Sequence, residues 1–322
     1  MADLIAGFDA GQTHTRCRLA DAGSGSVLVE GTGPGVRHLA SDGGPGAFRQ
    51  ALQLSLAQAL EALPCGAGGS LLAAAVGASG IEVGSAVQVQ GLDLAAAALE
   101  LPSQQLVVTG DERTALRGAM GTAEQGVALI SGTGTIAVGR NRQGVEHRCA
   151  GWGWLLDGAG SAMDIGRDGL SASLEMADGR RPGSGLRQRL WHALDLDPED
   201  PGAAAAIKAR VVQPGFGAPG FAALAPVVLA CAEAGDACAL AIVRRNAAAL
   251  AAMAAAISGR LSLERPSVWP LGGALSHLAL LRLELELALA RDLPAARLEP
   301  PAADACAGAL SLAREQLELR RR

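Results

Sequence analysis

Two short turns combine glycine and threonine directly after an apolar run, a pattern that suits phosphate binding. The clearer one is Ser131-Gly132-Thr133-Gly134, which joins two apolar runs within residues 127–139. Glycine permits positive φ angles and a close approach of the backbone to a ligand, and the amides of such a turn can form a nest for an anion. Thr133 and Thr135 add hydroxyl donors. An ordinary hairpin with a glycine turn would show the same residues, so this stretch alone leaves both interpretations open.

The other turn follows the apolar run Leu4–Phe8 and reads Asp9-Ala10-Gly11-Gln12-Thr13. A carboxylate at the end of a strand can hold Mg²⁺ directly or through water, while turn amides and hydroxyls take phosphate oxygens. The alternative is an Asx-type turn in which Asp9 bonds only to nearby backbone. For this turn taken alone, that alternative is favoured.

Two more polar residues follow predicted strands. The run 106–109 ends at Gly110-Asp111-Glu112, and a helix is predicted from Ala115. Asp111 is either a helix cap, the commoner fate of such a residue, or a general base. Ser79 lies in the loop 77–80 after the strand 71–76, and α/β proteins place ligand sites at such strand ends.

Two glycine-rich segments later in the chain could meet a ligand. Trp152 stands between Gly151 and Gly153, where it is either a core residue or a flat apolar wall for a ring-shaped ligand. Gly272 and Gly273 follow the strand 268–271, where they could admit an adenine or a ribose, or serve tight packing.

Composition bounds the class of protein. The chain has 322 residues, which predicts two domains, and its 49% hydrophobic and 18% charged residues can form a large core. With a net charge of -5 and no basic stripe, nucleic acid is not an expected partner. The start lacks the pattern of a signal peptide, and apolar helices such as Ala247–Ile257 are interpreted as too short to span a bilayer. We therefore expect no membrane partner and a cytoplasmic location.

Cysteine and histidine spacing argues against a zinc site or a disulfide framework. None of the six cysteines forms a CxxC pair, and no two of the five histidines form HxxxH. This predicts reduced, mostly buried thiols and no structural metal. The cysteines are Cys17, Cys65, Cys149, Cys231, Cys238 and Cys306.

The elements that must position these residues repeat in topology. Residues 4–29 and 127–148 both read strand, turn, strand, and each is followed by helices and a further strand end. Two such halves would place one phosphate-type turn on each side of a cleft, an arrangement specific for nucleotide phosphates. In the second half, helices are predicted over 162–177, 186–194, 203–212, 221–234 and 237–261, with a break at residues 214–220.

Taken together, DAGQTHT, TGDE, ISGTGTIAVGR, the GWG loop that ends in GS, and LGGALS resemble the BadF/BadG/BcrA/BcrD-type ATPase family. This family belongs to the actin-like superfamily, and within it the chain is most similar to N-acetylglucosamine kinases. The resemblance implies an α/β fold of two actin-like (ribonuclease H-like) ATPase domains with an interdomain cleft. It implies a first lobe of residues 1–112 plus 300–322 and a second lobe, 113–299, with a helical insertion.

The resemblance also implies ATP and Mg²⁺ as cofactors and assigns roles to single residues. Asp111 matches the catalytic base that takes the proton from the sugar hydroxyl as it attacks the γ-phosphate. Asp9 would lie near Mg²⁺. The nucleotide would be bound by Asp9, Gly11, Gln12, Thr13, Gly132, Thr133, Gly134, Gly272 and Gly273. The sugar would contact Ser79, Asp111, Thr133, Gly151, Trp152 and Asp157.

This chain departs from the family pattern mainly in the implied sugar pocket. Where the family reads GDEGS after GWG, residues 157–161 read DGAGS, so that Gly158 and Ala159 replace an acid pair and Asp157 is shifted by one position. Arg37-His38 stand where the family often has Asn. Gln12 replaces a usual Gly in the first turn. The phosphate-binding residues are therefore largely intact, whereas the sugar pocket is altered.

The expected function is an ATP-dependent kinase that phosphorylates N-acetylglucosamine or glucosamine at its 6-hydroxyl, and relatives suggest a homodimer. The second hypothesis is a nucleotide- or sugar-binding regulator that has lost turnover, because the acid pair is missing. The third is an electron-transfer activator of the same family, which would need cysteines that share an iron–sulfur cluster. The cysteines here lack a matching motif.

Overall fold

The computed structural model describes residues 3–64 and 68–321, and the side chain of residue 321 is left out. Cys65 and the last residue of the terminal Arg run therefore lie outside the described residues. The chain divides into unit 1, Met1–Ala123 with Pro300–Arg322, and unit 2, Glu124–Glu299. The predicted edge between residues 112 and 113 falls inside a helix that packs within unit 1, and the division lies after that helix.

Within the residues that the structure describes, unit 1 contains one five-stranded sheet and four helices. Its strands are β1 (Leu4–Ala10), β2 (His14–Asp21), β3 (Val27–Pro34), β4 (Leu71–Ala78) and β5 (Leu106–Gly110). Its helices are α1 (Gly44–Glu61), α2 (Ala86–Leu99), α3 (Asp111–Met120) and α12 (Ala305–Arg321), with one 3-10 turn at Ser103–Gln105.

Unit 2 contains a second five-stranded sheet and a set of helices. Its strands are β6 (Gly126–Ser131), β7 (Thr135–Arg140), β8 (Glu146–Ala150), β9 (Ser267–Leu271) and β10 (Arg297–Leu298). Its helices are α4 (Ala162–Ala177), α5 (Gly185–Ala193), α6 (Ala203–Val211), α7 (Gly217–Ala222), α8 (Ala225–Glu233), α9 (Ala237–Leu261), α10 (Gly273–His277) and α11 (Ala279–Asp292).

The two sheets share one topology. The first has the order β3-β2-β1-β4-β5, and the second, read in the same direction, has the order β8-β7-β6-β9-β10. In each sheet the first three strands along the chain pair antiparallel, and the other two run parallel to the first. This repeat is the ribonuclease H-like arrangement of actin-like ATPases, so the predicted α/β fold class is confirmed.

Helices cover both faces of the first sheet because its central strand is buried on both sides. On β1, Leu4 and Phe8 pack with Phe48 of α1 in one cluster. Ile5 points the other way and packs with Ala309 of α12. Alternating side chains of a strand lie on opposite faces, which is why one apolar run supports two cores.

Strand β3 is longer than its sequence suggests. It extends to Pro34, although the glycines and the proline within residues 31–34 are typical of a loop. Side chains at Gly31 and Gly33 would overlap the backbone of α1, since a Cβ on Gly31 would lie 2.4 Å from the Ser55 carbonyl oxygen. Here the glycines allow a helix to approach the strand closely and do not end it.

Helix α9 corrects the expectation that the apolar helices are too short to cross a membrane. It has 25 residues, and among the described residues it is the one helix long and apolar enough to do so by length and composition. It is also the main core helix of unit 2, because Ala247, Leu250 and Ala254 are fully buried in the cluster around β6 and β7. A buried core helix passes the same test of composition, so the finding is weak evidence for a membrane span.

The helical insertion is also divided differently from the prediction. The predicted break at 214–220 ends earlier, because α7 begins at Gly217 and includes Pro219. Proline is tolerated in the first turn of a helix, where no intrahelical partner for its nitrogen is needed. The helix predicted over 221–234 is instead split between α7 and α8.

Packing of α12 on α3 leads to a stability prediction. A Cβ on Gly308 would lie 1.9 Å from the Thr114 carbonyl oxygen and 2.5 Å from the Gly118 nitrogen. Backbone atoms of a packed helix cannot move aside easily, so Gly308→Ala should destabilise the protein by about 1–3 kcal/mol or more. Denaturant midpoints would measure the loss. Gly46→Ala on α1, where a Cβ meets open space, should be neutral or slightly stabilising. Equal midpoints for the two variants would contradict the packing explanation.

Candidate active site

The first turn lies between β1 and β2 in unit 1. The N–H of Gly11 donates to the His14 carbonyl, with 3.1 Å between nitrogen and oxygen. Gln12 and Thr13 project their side chains into solvent. Gly11 has no positive φ, so the turn itself does not require glycine there. Glycine leaves the backbone accessible to a ligand.

Three of the predicted site residues come together at one edge of the first sheet. Strands β1, β4 and β5 are adjacent and parallel, and their carboxyl ends carry Asp9, Ser79 and Asp111. Ser79 is tied to this edge, because its N–H donates to the Ala10 carbonyl at 3.1 Å. The edge is therefore where an α/β sheet places ligands.

Asp9 is paired with an arginine that the sequence reasoning missed. Asp9 and Arg16 are directly opposite in the β1–β2 register, and an Arg16 nitrogen lies 2.9 Å from Asp9 Oδ2. The other Arg16 nitrogen lies 3.0 Å from Asp304, which precedes α12. The register of a short antiparallel hairpin is the signal that could have revealed the pair.

The chemistry of Asp9 is compatible with a magnesium ion that arrives with nucleotide phosphates. In the described part of the chain, Arg16 bonds one carboxylate oxygen of Asp9 and the other has no hydrogen-bond donor. Mg²⁺ in phosphate sites keeps several waters and needs only one or two protein carboxylates. No group of three histidine, cysteine or acidic residues occurs among the described residues, so no all-protein metal cage is available there.

Asp111 is the first residue of α3 and not its cap. Gly110 occupies the capping position and has no side-chain cap bond. Burial, helped by the negative charges of Glu112 and Asp9, raises the pKa of Asp111 to about 6. A carboxylate with this pKa is a stronger base than an ordinary aspartate and is still ionised near pH 7.

The loop that carries Arg37 and His38 lies at the same edge of unit 1. The Val36 N–H donates to the Gly11 carbonyl at 2.9 Å. The His38 ring lies against Gly80, since a Cβ there would be 2.7 Å from His38 Cδ2. The two departures at 37–38 therefore adjoin the first turn and the loop that carries Ser79.

In unit 2 the second turn has the same form. Ser131 and Thr135 are paired at the end of the β6–β7 hairpin, and the Gly132 N–H donates to the Gly134 carbonyl at 2.9 Å. Thr133 is exposed. Neither Gly132 nor Gly134 has a positive φ, so a left-handed backbone conformation is not the reason for glycine at these positions. A Cβ on either glycine would meet open space, which leaves room for a ligand against the backbone.

Gly272 packs on this hairpin and requires glycine for two reasons. Its φ is 86°, in the left-handed region, and a Cβ would lie 2.4 Å from the Ser131 carbonyl oxygen. Gly273 opens α10 without crowding. Of the two glycines predicted to approach adenosine, the first therefore serves tight packing, and the second remains accessible.

The loop after β8 is held by Arg148. The Arg148 guanidinium donates to the carbonyls of Ala150, at 3.2 Å, and Gly151, at 2.9 Å. Its central carbon lies 4.8 Å from the centre of the Trp152 ring. Trp152 is 65% exposed, so it is not a core residue. Gly151 has a φ of 78° and packs on Ile136, which leaves no room for a side chain.

Residues 160–162, which continue this loop, are hydrogen-bonded to the second turn and the strand end before it. The Ser131 hydroxyl donates to the Gly160 carbonyl at 2.6 Å, and the Ala162 N–H donates to the Gly132 carbonyl at 2.9 Å. Ser161 caps α4 and its side chain accepts from the Asp164 N–H. The sequence analysis gave the side chain of Ser131 no role, although its position at the end of β6 could have indicated one.

The place of the missing acid is filled by an apolar side chain. A Cβ on Gly158 would lie 2.3 Å from the methyl carbon of Met163, which is fully buried. Asp157, the shifted acid, is half-buried. Its charge reaches Cys149, whose pKa is raised mainly by desolvation and further by Asp157.

The thiols outside the undescribed segment are free, as predicted. Three are buried and two are half-buried. Desolvation raises the pKa of Cys306 to about 12, which keeps that thiol protonated. The five are Cys17, Cys149, Cys231, Cys238 and Cys306.

Two ribonuclease H-like sheets, each with a Gly/Thr turn between its first two strands, define an actin-like ATPase fold. The family model of the "BadF/BadG/BcrA/BcrD ATPase family" matches residues 6–289. The chain belongs to this family.

Several proteins to which the chain is similar are named as N-acetylglucosamine kinases. An N-acetyl-D-glucosamine kinase of Dictyostelium discoideum is 32% identical over 193 residues, which are 58% of this chain and 59% of that protein. An N-acetylmuramic acid/N-acetylglucosamine kinase of Clostridium acetobutylicum is 40% identical over 76 residues, 24% of either chain. These matches therefore span about a quarter to three fifths of the curated relatives. A crystal structure named as that of an N-acetylglucosamine kinase of Chromobacterium violaceum aligns with a TM-score of 0.72 and 25% identity, over 96% of this chain and 98% of that one.

The raised pKa of Asp111 predicts a pH-dependent stability change. A carboxyl whose pKa is higher in the folded protein favours folding while protonated, and this contribution is lost as pH rises from 3.8 through about 6. Asp111→Asn should therefore raise the free energy of unfolding at pH 8, by at most about 3 kcal/mol, and change it little at pH 4. Thermal unfolding at both pH values measures this. A loss of stability at pH 8 would contradict it.

The contact between Arg148 and Trp152 predicts a change in tryptophan accessibility. Trp191 and Trp269 are buried, so acrylamide quenching reports mainly on Trp152 and Trp154. Arg148→Ala removes the guanidinium from the Trp152 ring and frees two carbonyls, so quenching should increase. Arg142→Ala, in the exposed turn between β7 and β8, is the matched control and should not change it. Equal quenching in both variants would show that Arg148 does not hold the loop.

Proposed function

We propose that this protein is an ATP-dependent kinase that phosphorylates an amino sugar, N-acetylglucosamine or glucosamine, at its 6-hydroxyl, with Asp111 as general base. The observation that carries the proposal is the position of Asp111 at the start of α3, with a pKa raised to about 6, at the same strand edge as Asp9. Family membership and the printed names of the relatives support the sugar kinase class.

The base assignment follows from what phosphoryl transfer requires. The attacking hydroxyl must lose its proton as the bond to phosphorus forms, and a carboxylate with a pKa near the working pH accepts that proton efficiently. Asp111 is ionised at pH 7 and has no cap role in α3. Arg16 pairs with Asp9, and not with Asp111.

Nucleotide binding is assigned to the two turns. The backbone amides at Gly11–Thr13 and Gly132–Gly134, with the exposed hydroxyls of Thr13 and Thr133, would bind phosphate oxygens. Gly273 would approach the adenosine. Asp9 would hold Mg²⁺, which neutralises phosphate charge when bound.

The sugar is assigned to Ser79, Gly151, Trp152, Asp157 and Thr133, together with Asp111. Trp152 presents an exposed ring that can stack on the apolar face of a sugar. Asp157 would replace the acid that is missing at Gly158. A homodimer in the cytoplasm is the assembly and location we expect for such an enzyme.

A regulator that binds nucleotide or sugar without turnover is the second candidate. The observation that favours it is Met163, whose methyl group fills the space beside Gly158 where the family has an acid. A sugar pocket built on hydroxyl bonds loses much of its discrimination when such a partner is lost.

Assays of ADP release over a panel of sugars and amino sugars test the proposal. An amino sugar should give the highest kcat/KM, and Asp111→Asn should lower kcat by about 100-fold or more while the Kd for ATP changes little. Asp93→Asn, an exposed acid on α2, is the matched control and should have wild-type kinetics. Turnover by Asp111→Asn at the wild-type rate would refute the base assignment. Tight binding of ATP or sugar with no transfer to any sugar would favour the regulator.

A further inference from the structure

The backbone N–H and carbonyl of Gly160 are both bonded by buried side chains. Its N–H donates to Asn246 Oδ1 at 2.8 Å, and its carbonyl accepts from the Ser131 hydroxyl at 2.6 Å. Asn246 is 1% exposed and Ser131 is fully buried. Bonds of this kind, away from water, are costly to leave unmade.

The local geometry allows this peptide little freedom. Gly160 has a φ of 87°, and a Cβ there would lie 2.7 Å from Leu250 on α9. The Asn246 amide is itself fixed, because its nitrogen donates to the Ile242 carbonyl at 3.0 Å. That bond determines which end of the amide faces Gly160.

Gly160 is also linked to the second turn by hydrogen bonds. Ser131 is the last residue of β6 and precedes Gly132, whose carbonyl accepts from the Ala162 N–H at 2.9 Å. The loop that continues from Gly160 back to Gly158 includes the place of the missing acid. A shift of Gly160 would therefore move both the turn and this loop.

We propose that Asn246, from the middle of α9, is a positioning residue for the phosphate turn 132–134, acting through Gly160 and Ser131. The inference rests on the proposed nucleotide-binding function of that turn. Displacement of binding groups by about 1 Å can reduce activity about 100-fold, so a distant amide can control the site without touching a ligand.

The test compares Asn246→Ala, Ser131→Ala and the double variant in the full-length protein. Titration calorimetry with Mg·ATP should show at least tenfold weaker binding for each single variant. The double variant should bind no more weakly than about the worse single variant, because both changes release the same residue, Gly160. Hydrogen exchange of residues 157–162 should become faster in all three variants.

Ile257→Val is the matched control on the same helix. It removes only the Cδ1 carbon of a fully buried side chain in the core of unit 2, so it should lower the Tm without changing ATP affinity or exchange in the loop. Ser258→Ala, which removes a bond only within α9, should also leave both unchanged. If Asn246→Ala does not fold, Ser131→Ala tests the role of Gly160 through its carbonyl instead of its N–H.

Several results would overturn the inference. One is an Asn246→Ala protein with the ATP affinity and the hydrogen exchange of the wild type. Another is a double variant whose loss of ATP affinity is the sum of the two single losses. A third is an Ile257→Val protein that has a Tm similar to that of Asn246→Ala and loses as much ATP affinity. The proposed function can fail separately: if the wild type binds ATP but phosphorylates no sugar, the kinase assignment falls. ATP affinity and exchange then still decide the role of Asn246.

Discussion

In both units, two stretches of main chain pack directly against each other at a glycine. A side chain at that glycine would overlap the neighbouring backbone. Gly272 lies on Ser131 in unit 2, and Gly308 lies on Thr114 in unit 1. These contacts bring strand ends and helix starts closer than ordinary side chains allow. The second turn is therefore set by the packing of Gly272 beneath it as much as by its own residues, and a methyl group at Gly272 would displace it.

The repeat of topology could be predicted from the sequence because two strand–turn–strand patterns are each followed by a parallel strand end. The lengths of several elements could not. The glycines of β3 are typical of a loop, yet they mark the close approach of α1, and Pro219 was interpreted as part of a break, yet it lies in the first turn of α7. Glycine and proline have more than one structural use, and the neighbouring chain decides which one applies.

Among the site residues, position along the chain placed Asp9, Ser79 and Asp111 each at the end of a predicted strand, and the structure brings them to one edge because parallel strands end together. The roles of partners were harder to predict. Ser131 and Asn246 form hydrogen bonds with Gly160, which is distant from both in sequence, and Asn246 lies in a helix whose composition indicates only a core. Hydrogen-bond geometry is a property of the folded chain and leaves no periodic trace in the sequence.

The position of α12 has a consequence for synthesis. One core of unit 1 joins Ile5 of β1 to Ala309 and Ala313 of α12, which are separated in the chain by all of unit 2. Unit 2 is continuous and can collapse as soon as it leaves the ribosome. Unit 1 must wait, with one face of its sheet uncovered, until the final helix emerges. A nascent chain therefore carries an unfinished first unit through most of its translation, a period in which its apolar strands depend on chaperones or on rapid elongation.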